Sequence, residues 1–199
     1  AAYEHCRPKF LIVPTNCLLP SEIEYKTKKI LETYRDSEVV VNLSLDGVDK
    51  KHDAIRGVLG NFEKVIVTYD KLRRLRKEYP NFKIGIHSVA SRFNINNLLE
   101  LYEFAKRLEP DTYICEIAEP RNELFNIDKE IAPDISEYEN FIKELSKKIK
   151  RDYFQKRGLV RLIQAYRLKY YRLAVRELKE KRQVLPCYAG FASCQISSY

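Results

Sequence analysis

The sequence predicts an α/β fold of about four β-α units around a parallel sheet, followed by a long helix. Three observations predict it. Short apolar runs alternate with stretches that carry apolar residues at helical spacing. Runs such as 10–13 and 39–41 are continuously apolar, as strands are when both faces of a parallel sheet are covered. Four strand-then-helix units follow one another, which implies a parallel sheet with helices outside it. Periodicity alone leaves barrel and open sheet undecided.

The elements follow in order. Residues 10–13 form the first strand, ended by Pro14, Thr15 and Asn16. A helix opens at Pro20 and Ser21, with Ser21 and Glu24 spaced as a capping box. The second strand runs from 39 to 45, and a loop reaches Gly60. Asn61 is placed to cap a helix over 62–79, where Val65, Tyr69, Leu72 and Leu75 share one face. Residues 83–89 form the third strand, and Asn97 with Glu100 offers a capping box into a helix over 98–108. Residues 111–117 form the fourth strand. Ser136 with Glu139 opens a helix over 136–150. From 158 to 182 the pattern is one long helix with no strand after it, and a distinct C-terminal element begins near 151. Its stripe of Leu159, Ile163, Tyr166, Tyr170 and Leu173 steps by four and three, the spacing of a packed face.

Composition sets outer limits. A chain of 199 residues with 45% hydrophobic and 32% charged residues has a globular balance, which excludes wholesale disorder. No apolar run approaches the ~18 residues of a membrane-spanning helix. There is no signal-peptide pattern and no methionine, so a processed or truncated, soluble, cytoplasmic chain is expected, with no membrane partner. Five cysteines point to reduced thiols or metal ligands over a disulfide framework. The net charge of +8 is local. Residues 147–182 hold 14 Lys and Arg against three acidic residues, and the rest of the chain holds 22 basic and 25 acidic.

In a parallel α/β protein, sites gather at the carboxyl ends of the strands. Those ends are Thr15 and Asn16, then Ser44 and Asp46, then His87 and Ser88, then Glu116 and Glu119. Turns are polar in any case. Four polar ends on one rim are the stronger signal.

The segment Ser44-Leu45-Asp46-Gly47, with His52-Asp53, Ile55-Arg56-Gly57 and Gly60-Asn61-Phe62, resembles the fourth-strand region of radical S-adenosylmethionine (SAM) enzymes. The closest group carries a SPASM-type C-terminal extension. Pro14-Thr15-Asn16 is similar to the family's third-strand end, and His87-Ser88-Val89 with Asn94 to its fifth. Pro186-Cys187-Tyr188-Ala189-Gly190 with Ile196 is similar to the opening of the SPASM cysteine motif. The resemblance implies a partial (β/α) TIM-like barrel over 1–150, a basic helical connector over 151–185 and the start of an auxiliary-cluster motif over 186–199. The family's Cys-x3-Cys-x2-Cys motif does not occur in the sequence. The chain is therefore expected to be an internal fragment, inactive by itself.

By that resemblance Ser44 would contact the amino-acid end or ribose of SAM, and Arg56 would hold the methionyl carboxylate or brace its loop. Val89 would line the adenine pocket, with Ser88 or Asn94 nearby, while Thr15 and Asn16 approach from the third strand. Glu116 and Glu119 are candidates for a substrate-side acid or base. Asp46 and Gly47 shape the turn, and His52 and Asp53 read as structural. Cys187 would be the first ligand of an auxiliary iron–sulfur cluster, while the [4Fe-4S] cluster that cleaves SAM would take its ligands from outside this chain. Cys17 stands where the family has glycine, which bears on the turn. Cys115 reads as core, Cys194 as a small buried side chain, and His5 as incidental. The family implies a 5′-deoxyadenosyl radical, a peptide or protein substrate, and an electron donor such as flavodoxin or ferredoxin.

Two readings compete with this one. Arg161, Arg167, Lys169, Arg172 and Arg176, interleaved with Tyr166, Tyr170 and Tyr171, have the composition of a nucleic-acid-binding module. The packing stripe argues against nucleic acid. A non-catalytic α/β scaffold is the other, and no phosphate-loop or dinucleotide motif supports a different enzyme class.

Overall fold

The computed structural model describes residues 7–119, 128–153 and 159–186. Contacts divide the chain into two compact units after Asp134. The helix expected to belong with the barrel segment thus falls in the second unit, on the far side of a boundary that the sequence put near 150.

The first unit alternates strand and helix: β1 (Phe10–Thr15), α1 (Pro20–Thr33), β2 (Glu38–Ser44), α2 (Lys50–Arg56), α3 (Asn61–Glu78), β3 (Phe82–Ala90), a short 3-10 turn (Ile95–Asn97), α4 (Leu98–Arg107) and β4 (Thr112–Ile117). All neighbouring strands are parallel, in the order β1-β2-β3-β4. An order without reversal means every crossover steps the same way. Right-handed crossovers then put all the helices on one face, the arrangement of a barrel wall rather than a doubly wound sheet.

Burial follows that geometry. Val39, Val41 and Leu43 of β2 and Ile84 and Ile86 of β3 are buried beneath the helices, among Val65 and Leu72 of α3 and Leu98 and Leu101 of α4. Alternate residues point to the other, inner face. Phe10 and Ile12 of β1 are exposed there, 68% and 61% respectively. Val40, Ser44, His87, Val89, Ile114 and Glu116 are half-buried. So the apolar runs do not have two equally covered faces. The helix side is sealed and the inner side is not.

Local signals at helix starts were only partly realised. Helix α1 begins at Pro20 with Leu19 as N-cap and no side-chain cap. Glu24 instead pairs with Lys71 of α3 at 2.6 Å. Asn97 and Glu100 form no capping box, because both take Lys51 of α2, each at 2.9 Å. Asn61 is the first residue of α3, and Gly60 is its N-cap. The α3 terminus is capped from α2, where the Asp53 carboxylate accepts the Gly60 and Phe62 N–H groups at 2.6 and 2.8 Å. These N–H bonds hold Asp53 ionised, with its pKa below the usual carboxylate range. In each case the bond is made with a group on another element instead of the local backbone.

The second unit contains α5 (Ile135–Tyr153) and α6 (Leu159–Glu180), which pack on each other. Glu139 near the start of α5 meets Lys179 near the end of α6 at 2.7 Å, so the pair is antiparallel. Tyr138, Phe141, Ile142, Leu145 and Ile149 are buried on α5. The α6 stripe differs from the expected one. Gln164, Leu168 and Tyr171 are buried, while Tyr166 is 77% and Tyr170 41% exposed. The side chains of Leu159 and Ile163, the first two of the expected stripe, lie outside the described residues.

Candidate functional site at the carboxyl ends of the strands

The rim is organised by the segment after β2, which is not a plain loop. It contains α2, and Gly47 lets that helix start close by. A Cβ on Gly47 would stand 2.8 Å from the His52 backbone nitrogen. Gly57 and Gly60 both have positive φ, 66° and 73°, and turn the chain from α2 into α3.

Asp46 is the hub. Its side chain is 6% exposed and its Oδ2 lies 2.7 Å from Arg56 Nε. Oδ1 accepts the Val89 N–H at 2.7 Å. Its carbonyl accepts Asn94 Nδ2 at 2.9 Å, and Asn94 Nδ2 also reaches the Val89 carbonyl at 2.9 Å. Ser88 Oγ donates to the Leu45 carbonyl. These bonds clamp the carboxyl ends of β2 and β3 together.

A second chain of bonds reaches β1. The Asp46 N–H donates to His52 Nδ1 at 3.1 Å, which makes Nδ1 the acceptor and Nε2 the protonated nitrogen. Nε2 then donates to Asn61 Oδ1 at 3.1 Å, and Asn61 Nδ2 donates to the Asn16 carbonyl at 3.1 Å. His52 is fully buried, and burial is the largest cause holding its pKa below the ordinary histidine value. The turn after β1 closes through Thr15 Oγ1, which accepts the Cys17 N–H, and Asn16 Oδ1, which accepts the Leu18 N–H. Cys17 has φ 62°, the conformation a glycine would take there, with its thiol inside the core.

Strand parity sorts the expected cofactor residues. Ser44, His87 and Ile114 pair across β2, β3 and β4 on the inner face, and Val89 pairs with Glu116 one row further along. His87 Nε2 lies 3.2 Å from Glu116 Oε2, out of line for a hydrogen bond. Thr15 is in register with buried Leu43, and Ser88 is fully buried beside Leu45, so both point to the helix side. Successive side chains along a strand point to opposite faces. Asn94 is 1% exposed and Arg56 is turned to Asp46, so both brace the rim. Asn16 is exposed at the end of β1, and Glu119 is exposed beyond β4. His87, read from the sequence as one of the polar strand ends, stands on the inner face in parity with Val89 and Gly85.

The described residues do not fit an iron–sulfur cluster. None of them form a group of three or more His, Cys, Asp or Glu able to hold a metal ion. Cys17 and Cys115 are buried, and burial pushes the Cys17 thiol up to about 12 and Cys115 well above its ordinary value. Cys6, Cys187 and Cys194 lie outside the described residues.

No family model matches the chain, and no curated protein matches it. Among solved structures it is similar to anSMEcpe, an anaerobic sulfatase-maturating radical SAM enzyme, with bound AdoMet, at 17% identity and TM-score 0.48. The match covers 72% of this chain and 37% of that one. A second structure of anSMEcpe, with AdoMet and the Kp18Cys peptide, matches at 17% identity and TM-score 0.49, over 72% of this chain and 38% of that one. The chain thus spans well under half the length of these neighbours. The class that the chain's own fold defines is an α/β protein with a parallel, barrel-like wall of four strands.

Proposed function

We propose that this chain forms part of the S-adenosylmethionine-binding wall of a radical SAM enzyme that modifies a peptide or protein. One observation carries the reading. Ser44 and Val89, with Glu116 beside Val89, stand on one face at the carboxyl ends of adjacent parallel strands, next to the rim that Asp46 locks.

The residues present fit SAM in chemistry. Ser44 Oγ both donates and accepts, which suits an ammonium–carboxylate pair. Val89 offers an apolar surface to adenine, with its N–H already committed to Asp46. Glu116 presents a carboxylate toward the same face, where a substrate-side acid or base belongs. Cleavage chemistry would be supplied by a cluster held outside the described residues, so the share of the described residues is binding, orientation and exclusion of water.

Equilibrium dialysis with radiolabelled SAM tests this. Saturable binding is expected, and Ser44→Ala should weaken it about tenfold, the scale of one hydrogen bond to a charged group. Absence of saturable binding, or equal binding by Ser44→Ala, removes the reading.

A further inference from the structure

Helix α6 has a face that packing in the second unit leaves uncovered. Gln164, Leu168 and Tyr171 are buried, so the opposite side of the helix points away from that packing. Tyr166 and Tyr170 stand on that outward side, one turn or about 6 Å apart along the axis, and both are exposed. The sequence argument against nucleic acid needs both tyrosines packed, and neither is. A row of cations runs beside them. Arg161, Lys169, Arg172 and Arg176 step by eight, three and four, which sets them along one edge of the helix, and all four are exposed. From Leu159 to Arg176 there is no acidic residue. Lys169 and Arg172 make no ion pair among the described residues, while Arg176 is shared with Glu180. On α5, Glu139 and Glu144 are already taken by lysines. The other edge beside the tyrosines holds only half-buried Arg167 and Ala174.

We infer that this face binds single-stranded nucleic acid, with the backbone along the cation edge and bases stacked on Tyr166 and Tyr170. Each part of the face selects that partner. Charge along one edge matches one phosphate backbone, whereas a partner helix is met by charges on both sides of an apolar seam. Exposed rings beside cations suit bases, because every base has a π-face and stacking tolerates any sequence. Bases in a duplex are already stacked on one another, so a single strand offers what the tyrosines need. A second copy of the chain fits badly, since pairing face to face would bring two cation rows together. The inference goes beyond SAM binding and uses none of its residues.

The test is fluorescence anisotropy of a labelled oligouridine of about twelve nucleotides, titrated with the full chain. Saturable binding is expected, with log affinity falling against log salt at a slope of about −2 or steeper. Tyr166→Ala should weaken binding about tenfold, and Tyr166→Phe, which keeps the ring, should bind like the parent. Lys169→Gln combined with Arg172→Gln should flatten the slope by about 1.4, the share of two phosphates. Far-UV circular dichroism reports an intact fold, as changes at exposed positions should leave it. A strand of the same length without bases carries the charge alone and should bind about tenfold more weakly. The inference is overturned if oligouridine shows no saturable binding, or if Tyr166→Ala or the base-free strand binds as tightly as the parent pair. It is also overturned if a duplex of that length binds as tightly as the single strand. Displacement of oligouridine by polyglutamate of equal charge, as effective as by unlabelled oligouridine, would overturn it too and make the face a site for acidic polypeptide.

Discussion

His52 and Asn61 are joined side chain to side chain inside the rim, with Nε2 3.1 Å from Oδ1 and both residues buried. The contact fixes the neutral tautomer, because the other ring nitrogen must accept the Asp46 N–H. A proton added to Nδ1 would face that donor and break the chain of bonds that ties β2 to the end of β1.

Acid should therefore destabilise the fold through His52. Its folded pKa is lowered by burial, so below the ordinary value of 6.5 the unfolded chain takes up a proton that the folded chain refuses. Stability is fully present above that value and falls as pH drops toward the folded pKa. Urea unfolding at stepped pH should show this slope, and His52→Asn should remove this residue's share of it. An unchanged slope in the variant would contradict the assignment.

Replacing Asn61 by Leu should cost about 1–3 kcal/mol, since the His52 N–H and the Asn16 carbonyl would both lose their partner. A thermal midpoint equal to that of the parent would mean that water or another group fills in.

Asp46→Ala is expected to be the most damaging single change on the rim. It leaves Arg56 and the Val89 N–H without their acceptor. Arg56 retains some solvent access, so the loss should be about 2–4 kcal/mol, near the lower end for a broken buried pair. Denaturant midpoints, with Glu22→Ala on the exposed face of α1 as the control, measure it.

Cys17 separates backbone strain from packing. Cys17→Gly and Cys17→Ala both remove the thiol, but only alanine must hold a side chain at φ 62°. The glycine variant should be the more stable of the two by about 1 kcal/mol. The reverse order would show that the turn tolerates a side chain without strain.

Both described thiols should resist alkylation. Cys17 is buried with its pKa raised to about 12, and Cys115 is buried with its pKa raised further. At pH 8 neither offers appreciable thiolate. Peptide mapping after iodoacetamide should find Cys17 and Cys115 unmodified in the native chain and modified in urea.

Much of this protein was legible as a string. The strand segments read at 10–13, 39–45, 83–89 and 111–117 sit inside or across the four strands, because burial on the helix side demands apolar side chains at alternate positions. The polar rim was legible too, since chain order in a parallel sheet puts all carboxyl ends on one edge. Parity was legible as well: Ser88 and Val89 are neighbours in sequence and opposite in space. The Asp46 hub was hidden, because Val89, Asn94 and Arg56 meet it from other segments.

The sequence by itself determined the element order, the parallel sheet and the edge at which polar groups collect, because these follow from local periodicity and the handedness of crossovers. Only the tertiary structure decided which polar groups face inward, which helix stripe is buried, and where Asp53, Glu24 and Lys51 spend their bonds. Those outcomes rest on partners in other elements of the fold. A buried or charge-assisted bond to such a partner outweighs the weaker preference that local spacing encodes.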